Sequence, residues 1–235
     1  MIREALQYIV GMGKAETHEV NGQAYSDKQL HVIKEPTADA INVRSLSGLV
    51  EYIKSEYEWD EKLMIHVVSP TEVVCFDALN TNKNRNEYIQ ANAMIPSFNF
   101  DNYYDTESFN IKLQSVFVQN EDRDIMLKVV GNIKEEDVKT YGDDGVSQLV
   151  TAKSGAASVT DVVVPNPVSL KPFRTFVEVE QPVSEFIFRM RRGPQCALFE
   201  ADGGAWKLHA MKNIKNYLIS NLQEEINADK IVVIA

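Results

Sequence analysis

The stretch from Phe173 to Asn221 limits the possible folds more than any other part of the chain. It reads FRTFVEVEQPVSEFIFRMRRGPQCALFEADGGAWKLHAMKNIKNYLISN. If Pro182 and Val183 are the turn residues, apolar side chains alternate along two antiparallel strands, as on a half-buried hairpin. A third apolar run follows at 196–201, and a helical apolar pattern begins after the Asp-Gly-Gly turn. The stretch therefore predicts a cassette of three antiparallel strands covered by a long amphipathic helix.

The predicted hairpin has an apolar face and a charged outward face. The outward face and the turn beside it carry the candidate site residues Arg174, Phe176, Arg189, Arg191 and Arg192. Guanidinium groups bind phosphate through two hydrogen bonds, and an aromatic ring can stack on a base, so this set predicts a site for an anionic ligand. In the alternative interpretation, Glu178 and Glu200 neutralise an exposed strand face.

Apolar side chains recur at helical spacing in four other segments. Helices are predicted at 2–12, after a serine cap at Ser45, after an aspartate cap at Asp105, and at 123–130 with Asp122 as the cap. These segments alternate with strand-like runs, and this alternation is typical of a protein that packs helices against sheets.

Turn residues between β-branched runs predict several hairpins. They are expected at Asn21-Gly22, around Ser69-Pro70 and at the GDDG sequence of 142–145, with further strands near 88–93 and in the final KIVVIA. The fold class that we predict is α+β, with mixed or mainly antiparallel sheets of hairpins covered by amphipathic helices.

The chain is long enough to bury a sizeable core. It has 235 residues, of which 44% are apolar and 25% are charged, and these are values of an ordinary globular protein. Three prolines, at 165, 167 and 172, mark a possible subdomain seam near 160–172, since proline removes backbone donors. Composition is similar on both sides, so we predict a single domain over 1–235.

Charge and hydropathy exclude several classes of protein. A net charge of −10 argues against a protein that coats nucleic acid, because that affinity comes from many lysines and arginines. No run of 18 apolar residues is present, and the N-terminal residues do not resemble a signal peptide. Two cysteines in apolar surroundings fit a reducing compartment. We expect a cytoplasmic protein that has no membrane partner.

The sequence carries no recognisable motif for catalysis, for a cofactor or for a metal. The GMGK sequence at 11–14 lacks the other residues of a phosphate-binding loop, and the four histidines are dispersed. Carboxylates that could bind Mg²⁺ lie in three clusters: Asp101, Asp105 and Glu107; Asp143 and Asp144; Glu178 and Glu180. Helix caps, turns and a solvated strand explain them equally well. We predict no catalytic residue, no cofactor, no metal site and no enzymatic activity.

Several spaced segments resemble a known family. LSGLVEYI, YDTESFNIKLQ, DDGVSQ, PNPVSLKPFRTFVEVEQPVSEFIFRMR and FEADGGAW occur in this order and are similar to uncharacterised proteins of tailed phages and prophages, including the YfdQ-like group. The resemblance implies a phage-encoded or prophage-encoded protein that acts inside the bacterial host. Such proteins are often homo-oligomers, and the resemblance supplies no functional residue.

Three functional hypotheses follow. The first is a non-enzymatic protein that self-assembles, as a ring or a hollow shell, and binds or occludes a host or phage component. Its assembly surfaces would be the N-terminal helix, the proline-rich edge at 165–172 and the terminal strand, although each could pack within its own subunit. The second is a nucleic-acid or nucleotide-binding accessory factor of phage replication, recombination or anti-defence. The third is a Mg²⁺-dependent phosphohydrolase.

Overall fold

The computed structural model of the chain describes residues 2–13, 15–28, 38–56, 59, 62–80, 83–131, 149–154, 158–163, 166–191, 193 and 195–235. The chain divides into two units, residues 1–38 and residues 39–235. This division lies far from the seam predicted near residues 160–172. The prediction of one domain over the whole chain stays a prediction.

The smaller unit contains one helix and one hairpin. Helix α1 is Ile2–Met12, and strands β1 (Thr17–Val20) and β2 (Gln23–Ser26) pair in antiparallel fashion. The turn between the strands needs positive φ at both of its residues, and Asn21 (φ 55°) and Gly22 (φ 77°) tolerate this conformation. The predicted helix and hairpin are both confirmed.

The larger unit contains the remaining elements. In chain order they are β3 (Ile41–Val43), α2 (Leu46–Ser55), β4 (Leu63–Ser69), β5 (Glu72–Phe76), β6 (Glu87–Asn92), β7 (Tyr104–Asp105), α3 (Thr106–Val116), α4 (Glu121–Gly131), β8 (Leu149–Ser154), β9 (Ser158–Val163), β10 (Val168–Leu170), β11 (Ser184–Arg191), β12 (Gln195–Glu200), α5 (Trp206–Asn221), α6 (Gln223–Asn227) and β13 (Ile231–Ile234). The fold is α+β, as predicted.

A five-stranded mixed sheet forms one half of the larger unit. Its strand order is β13-β4-β5-β6-β3, with parallel pairing at the two outer positions and antiparallel pairing between the inner strands. Helices α2 and α5 contribute buried leucines and isoleucines to the same hydrophobic cluster as the sheet. Leu49, Ile65 and Ile214 are fully buried in this cluster. We call it the first core.

The start of helix α2 is capped as the sequence predicts. The Ser45 hydroxyl accepts a hydrogen bond from the Gly48 amide at 3.1 Å. The Ser47 amide donates to the Glu178 carboxylate at 2.9 Å, although the two residues are 131 positions apart. A negative carboxylate is favourable here, since the N-terminal end of a helix carries partial positive charge.

A four-stranded antiparallel sheet forms the other half. Its strand order is β10-β11-β12-β7, and helices α3 and α4 pack on it to form a second hydrophobic cluster. Asp105 caps α3 by accepting a hydrogen bond from the Ser108 amide at 2.8 Å, as predicted. The predicted cap of the next helix is wrong, because α4 begins at Glu121 and the Asn120 side chain accepts from the Arg123 amide.

Residues 173–183 do not form the predicted first strand of the cassette. Strand β11 pairs instead with β10, so that Val168 lies opposite Phe186. The segment 173–183 is an irregular connector that joins β10 to β11 within the four-stranded sheet. Its Phe176 is 1% exposed and lies in the first core, where the predicted hairpin would have placed it on an outward face. Because these residues form no strand, Glu178 does not neutralise a strand face and instead accepts a hydrogen bond from the Ser47 amide.

One buried amide organises this connector. The Gln181 side-chain oxygen accepts hydrogen bonds from the amides of Arg174 (2.9 Å) and Thr175 (3.2 Å). Its nitrogen donates to the carbonyls of Phe176 (2.9 Å) and Val179 (3.2 Å). Backbone groups that lack a strand partner are satisfied in this way, and buried backbone groups require such partners.

Two further predictions about the C-terminal part need correction. Helix α5 does not cover the strands of its own cassette. Its Ile214 and Leu218 are buried in the first core, whereas α3 and α4 cover the four-stranded sheet. The terminal KIVVIA strand does not join the cassette sheet but pairs in parallel with β4 of the five-stranded sheet, and its pairing with a neighbouring subunit stays a prediction.

Some predicted features lie outside the described residues. They are the turn at 142–145 with Asp143 and Asp144, and Arg192. In the described part of the chain, none of the helices has the length and apolar character needed to cross a membrane.

The two cysteines provide a test of core packing. Cys75 and Cys196 are both fully buried, and burial raises the pKa of each thiol to about 12. We expect no reaction of the native protein with Ellman's reagent near pH 8, because the thiolate is the reacting form. Both thiols should react after unfolding in guanidinium chloride. The variant Ser220→Cys, at an exposed position of α5, should react at once.

The same shifts give a pH dependence. The thiols of the unfolded chain ionise near pH 9, whereas the folded protein keeps them protonated. The unfolded state therefore releases protons first, and the cysteine contribution to the free energy of unfolding should fall as pH rises above about 9. Rapid labelling of the Cys75 or Cys196 thiol in the native protein would contradict the burial of these side chains.

Replacement of Gln181 tests the connector. Gln181→Leu keeps the approximate size but leaves two amides and two carbonyls without their partner, and each unsatisfied buried group costs about 1–3 kcal/mol. We expect a loss of at least about 3 kcal/mol in the free energy of unfolding, measured by urea denaturation. The matched variant Gln119→Leu, at an exposed position, should change it by less than about 0.5 kcal/mol. Equal effects would show that the connector does not depend on Gln181.

Candidate ligand-binding groove

A groove lies between the two halves of the larger unit. Its volume is about 550 Å³. The walls come from the β4–β5 turn (69–71), the segment before β7 (95–100), the start of the connector (172–174) and the beginning of α5 (206–207). The lining is mostly apolar, with aromatic rings and three prolines. Segments far apart in sequence therefore build one concave surface.

Arg174 is the central charged residue of this groove. It is 7% exposed, and its guanidinium group lies over the Trp206 ring, 3.9 Å from the ring centre. The rings of Phe100 and Phe186 are each 5.5 Å from it. The two terminal nitrogens donate to the Glu200 carboxylate and to the Ser184 hydroxyl. The guanidinium is thus held in one place by aromatic rings and two polar partners.

Burial of Arg174 is unfavourable for its charge. Burial lowers its pKa to about 10, although the carboxylates of Glu200 and Asp202 act in the opposite direction. Loss of hydration therefore outweighs the attraction of the two carboxylates. A buried ion pair of this kind contributes little to stability compared with apolar side chains of similar size.

The beginning of α5 adds positive charge at the same end of the groove. Lys207 lines the groove and is exposed, and it forms no ion pair with any described residue. Asp202 lies before the helix and accepts a hydrogen bond from the Gly204 amide at 3.0 Å. Burial raises the pKa of Asp202, but hydrogen bonds from Ser184 and Gly204 and the charge of Arg174 lower it by more in total.

The predicted site residues are not brought together. Arg174 contacts Ser184 at the beginning of β11, whereas Arg191 is seven residues further along that strand, roughly 23 Å away at 3.3 Å per residue. Arg191 lies over the Tyr103 ring at 4.0 Å and donates to Gln195. Arg189 donates to the Phe188 carbonyl.

Phe176 cannot stack on a ligand because it lies in the first core, and Arg192 is outside the described residues. Of the predicted set, Arg174 alone lines the groove. The interpretation that Glu200 neutralises an arginine holds for Arg174. The binding role predicted for the set as a whole stays a prediction.

Three carboxylates of the predicted clusters have structural partners among the described residues. Glu178 caps α2, Glu180 forms an ion pair with Lys171 at 3.1 Å, and Asp105 caps α3. Among the described residues, no group of three or more histidine, cysteine, aspartate or glutamate side chains could hold a metal ion. The nucleotide-binding and phosphohydrolase alternatives stay predictions from the sequence.

Sequence reasoning missed most of the groove. Phe98, Phe173, Trp206 and Lys207 were not selected as site residues, since they come from different segments. A useful signal was present in the four aromatic residues between 95 and 104, a segment that no periodic pattern assigns to a helix or strand. Comparisons with protein-family models, with curated proteins and with solved structures give no match to this chain.

Substitution of Arg174 tests the energetic argument. Arg174→Ala removes packing from three rings and leaves the buried Ser184 hydroxyl without its donor, so we expect a loss of about 3 kcal/mol in the free energy of unfolding. Arg174→Met combined with Glu200→Gln fills the space without burying a charge and should remain within about 1 kcal/mol of the native value.

Urea denaturation followed by circular dichroism measures both variants. Arg191→Ala, at an exposed arginine that also lies over a ring, is the matched control and should cost less than about 1 kcal/mol. A loss in the double variant as large as that in Arg174→Ala would show that the ion pair itself stabilises the fold.

Proposed function

We propose that this chain is a non-enzymatic phage or prophage protein that self-assembles into a homo-oligomer. It acts in the cytoplasm of the bacterial host by binding or occluding a host or phage component. The resemblance to tailed-phage and prophage proteins supports the origin and the site of action. The observation that carries the assembly is the exposed apolar stripe of helix α1.

The stripe is unusual for a helix of this length. Ile2, Leu6, Ile9 and Val10 lie on one side of α1 and are 57–81% exposed. A helix of 11 residues is only marginally stable alone in water, because few hydrogen bonds offset the cost of nucleation. Such helices gain stability by packing an apolar face. A second copy of α1 offers a matching apolar face, so self-association satisfies both helices at once.

Two edge strands support the same proposal. Among the described strands, β13 and β10 are edges of their sheets, and both belong to segments predicted to take part in assembly. Leu63 donates to the Lys230 carbonyl at 2.9 Å, so Lys230, Val232 and Ile234 direct their backbone groups toward β4. Val233 directs its amide and carbonyl to the other side. Strands of this kind can pair with another chain, and a closed ring or shell removes such edges.

Charge substitutions in α1 test the assembly. Leu6→Glu or Ile9→Glu places a carboxylate in the apolar stripe, whereas Tyr8→Glu places the same charge at an exposed position on the opposite side of the same helix. We expect the first two variants to raise the dissociation constant of the oligomer at least tenfold, which corresponds to about 1.4 kcal/mol. Tyr8→Glu should leave it nearly unchanged.

Sedimentation velocity and light scattering at about 10 μM chain would measure the assembly state. Circular dichroism shows whether each variant keeps its fold. A strictly monomeric native protein would refute self-assembly. An oligomer of native mass in both Leu6→Glu and Ile9→Glu would exclude α1 as the contact.

A further inference from the structure

The groove beside Arg174 has the size of a small-molecule site. Its volume of about 550 Å³ lies within the range of about 300–1,000 Å³ that is typical of ligand pockets. Apolar walls with a few polar groups at one end are also typical of such pockets. The groove therefore suits a small molecule better than a metal ion or an extended polymer.

The walls of the groove are held in place before any ligand binds. The Phe100 ring stacks on Phe186 with ring centres 5.1 Å apart and planes inclined by 12°. The Phe98 ring meets the edge of Phe117 at 5.1 Å. Prolines at 70, 96 and 172 restrict the backbone of the surrounding segments. A preformed surface reduces the entropy cost of binding, and flat rings favour a flat apolar partner.

The charges of the lining specify the polar part of the ligand. The charged lining residues are Arg174, Lys207 and Glu200, which sum to one positive charge. Glu200 is already paired with Arg174, so the uncompensated charge is that of Lys207. Lys207 is in the first turn of α5, where the helix dipole is also positive and Ala205 supplies no side-chain cap. Asp202 offsets part of this field but does not line the groove.

The buried ion pair of Arg174 and Glu200 sets the charge at this end of the groove. Burial of the Arg174 charge is unfavourable, and an apolar residue of similar size would satisfy the packing against the rings equally well. The Arg174 guanidinium holds the Glu200 carboxylate, so that this carboxylate leaves no uncompensated negative charge in the groove. Lys207 therefore supplies the net positive charge of this end, whereas the remaining walls accept an apolar body.

We propose that this groove binds a small molecule with a flat apolar body and a single anionic group. The apolar body lies against Phe98 and Phe173, and the anionic group lies beside Lys207 at the Arg174 end. This site is separate from the α1 stripe, so it stands or falls independently of self-assembly.

Two fluorescent probes of nearly identical shape test the charge requirement. Anilinonaphthalene sulfonate has an aromatic body and one sulfonate, and N-phenyl-naphthylamine has the same body without the charge. We expect the native full-length chain to bind the sulfonate probe saturably, with one site per chain. Lys207→Gln should weaken its binding about fivefold and leave binding of the neutral probe unchanged, since a partly exposed charge pair contributes up to about a factor of five.

Three further variants locate the binding. Lys212→Gln removes the same charge from an exposed position of α5 away from the groove and should change neither affinity. Thr71→Trp places a large ring in the groove and should abolish binding of both probes. Leu6→Glu alters the apolar stripe of α1 and should leave both affinities unchanged.

Several results would overturn the proposal. The first is absence of saturable probe binding by the native chain. The charge requirement would be wrong if Lys207→Gln and Lys212→Gln had equal effects, or if Lys207→Gln weakened the binding of both probes equally. The location would be wrong if a folded Thr71→Trp variant still bound both probes, or if Leu6→Glu lost binding. The sulfonate affinity should also fall as salt is raised, because the charge is exposed. An affinity independent of salt would likewise count against it.

Discussion

The four hydrogen bonds of the Gln181 side chain hold together the part of the molecule on which both halves depend. They allow residues 173–183 to leave the four-stranded sheet between β10 and β11 and to contact the first core without a strand partner. Phe176 enters the first core, Glu178 reaches the start of α2, and Arg174 reaches the groove. One buried amide therefore places an apolar anchor, a helix cap and a charged group, each on a different structural element.

This connector also explains why the groove has a charged end. Thr175 donates to the Pro70 carbonyl, which ties the connector to the β4–β5 turn of the first sheet. Arg174, the preceding residue, is directed toward Glu200 and Ser184 of the second sheet. The groove is the space between these two attachments. Its charged group is fixed by backbone contacts on one side and by polar partners on the other, so the unfavourable burial is maintained by the surrounding fold.

Local sequence patterns correctly predicted the helices, turns and caps that are stabilised by residues close in sequence. The α1 helix, the Asn21-Gly22 hairpin and the caps at Ser45 and Asp105 follow from nearby residues, and all are confirmed. Apolar and polar side chains alternate along residues 174–180 as they do in a strand. The backbone of this segment bonds to the Gln181 side chain instead of a neighbouring strand, and Phe176 packs in the first core. The same limitation applies to α5, whose apolar side is clear from sequence although the sheet that it contacts is not. The groove residues come together through such distant contacts.

The composition of the first core has a consequence for the order of events during synthesis. Strands β3 to β6 lie within residues 41–92, but the cluster that covers them includes Phe176, Ile214 and Ile231. In a chain that emerges from the ribosome from its N-terminal end, α2 alone can cover this sheet until more than a hundred further residues have been added. The early sheet therefore remains open to incorrect association for seconds, at the usual elongation rate of about 5–20 residues per second.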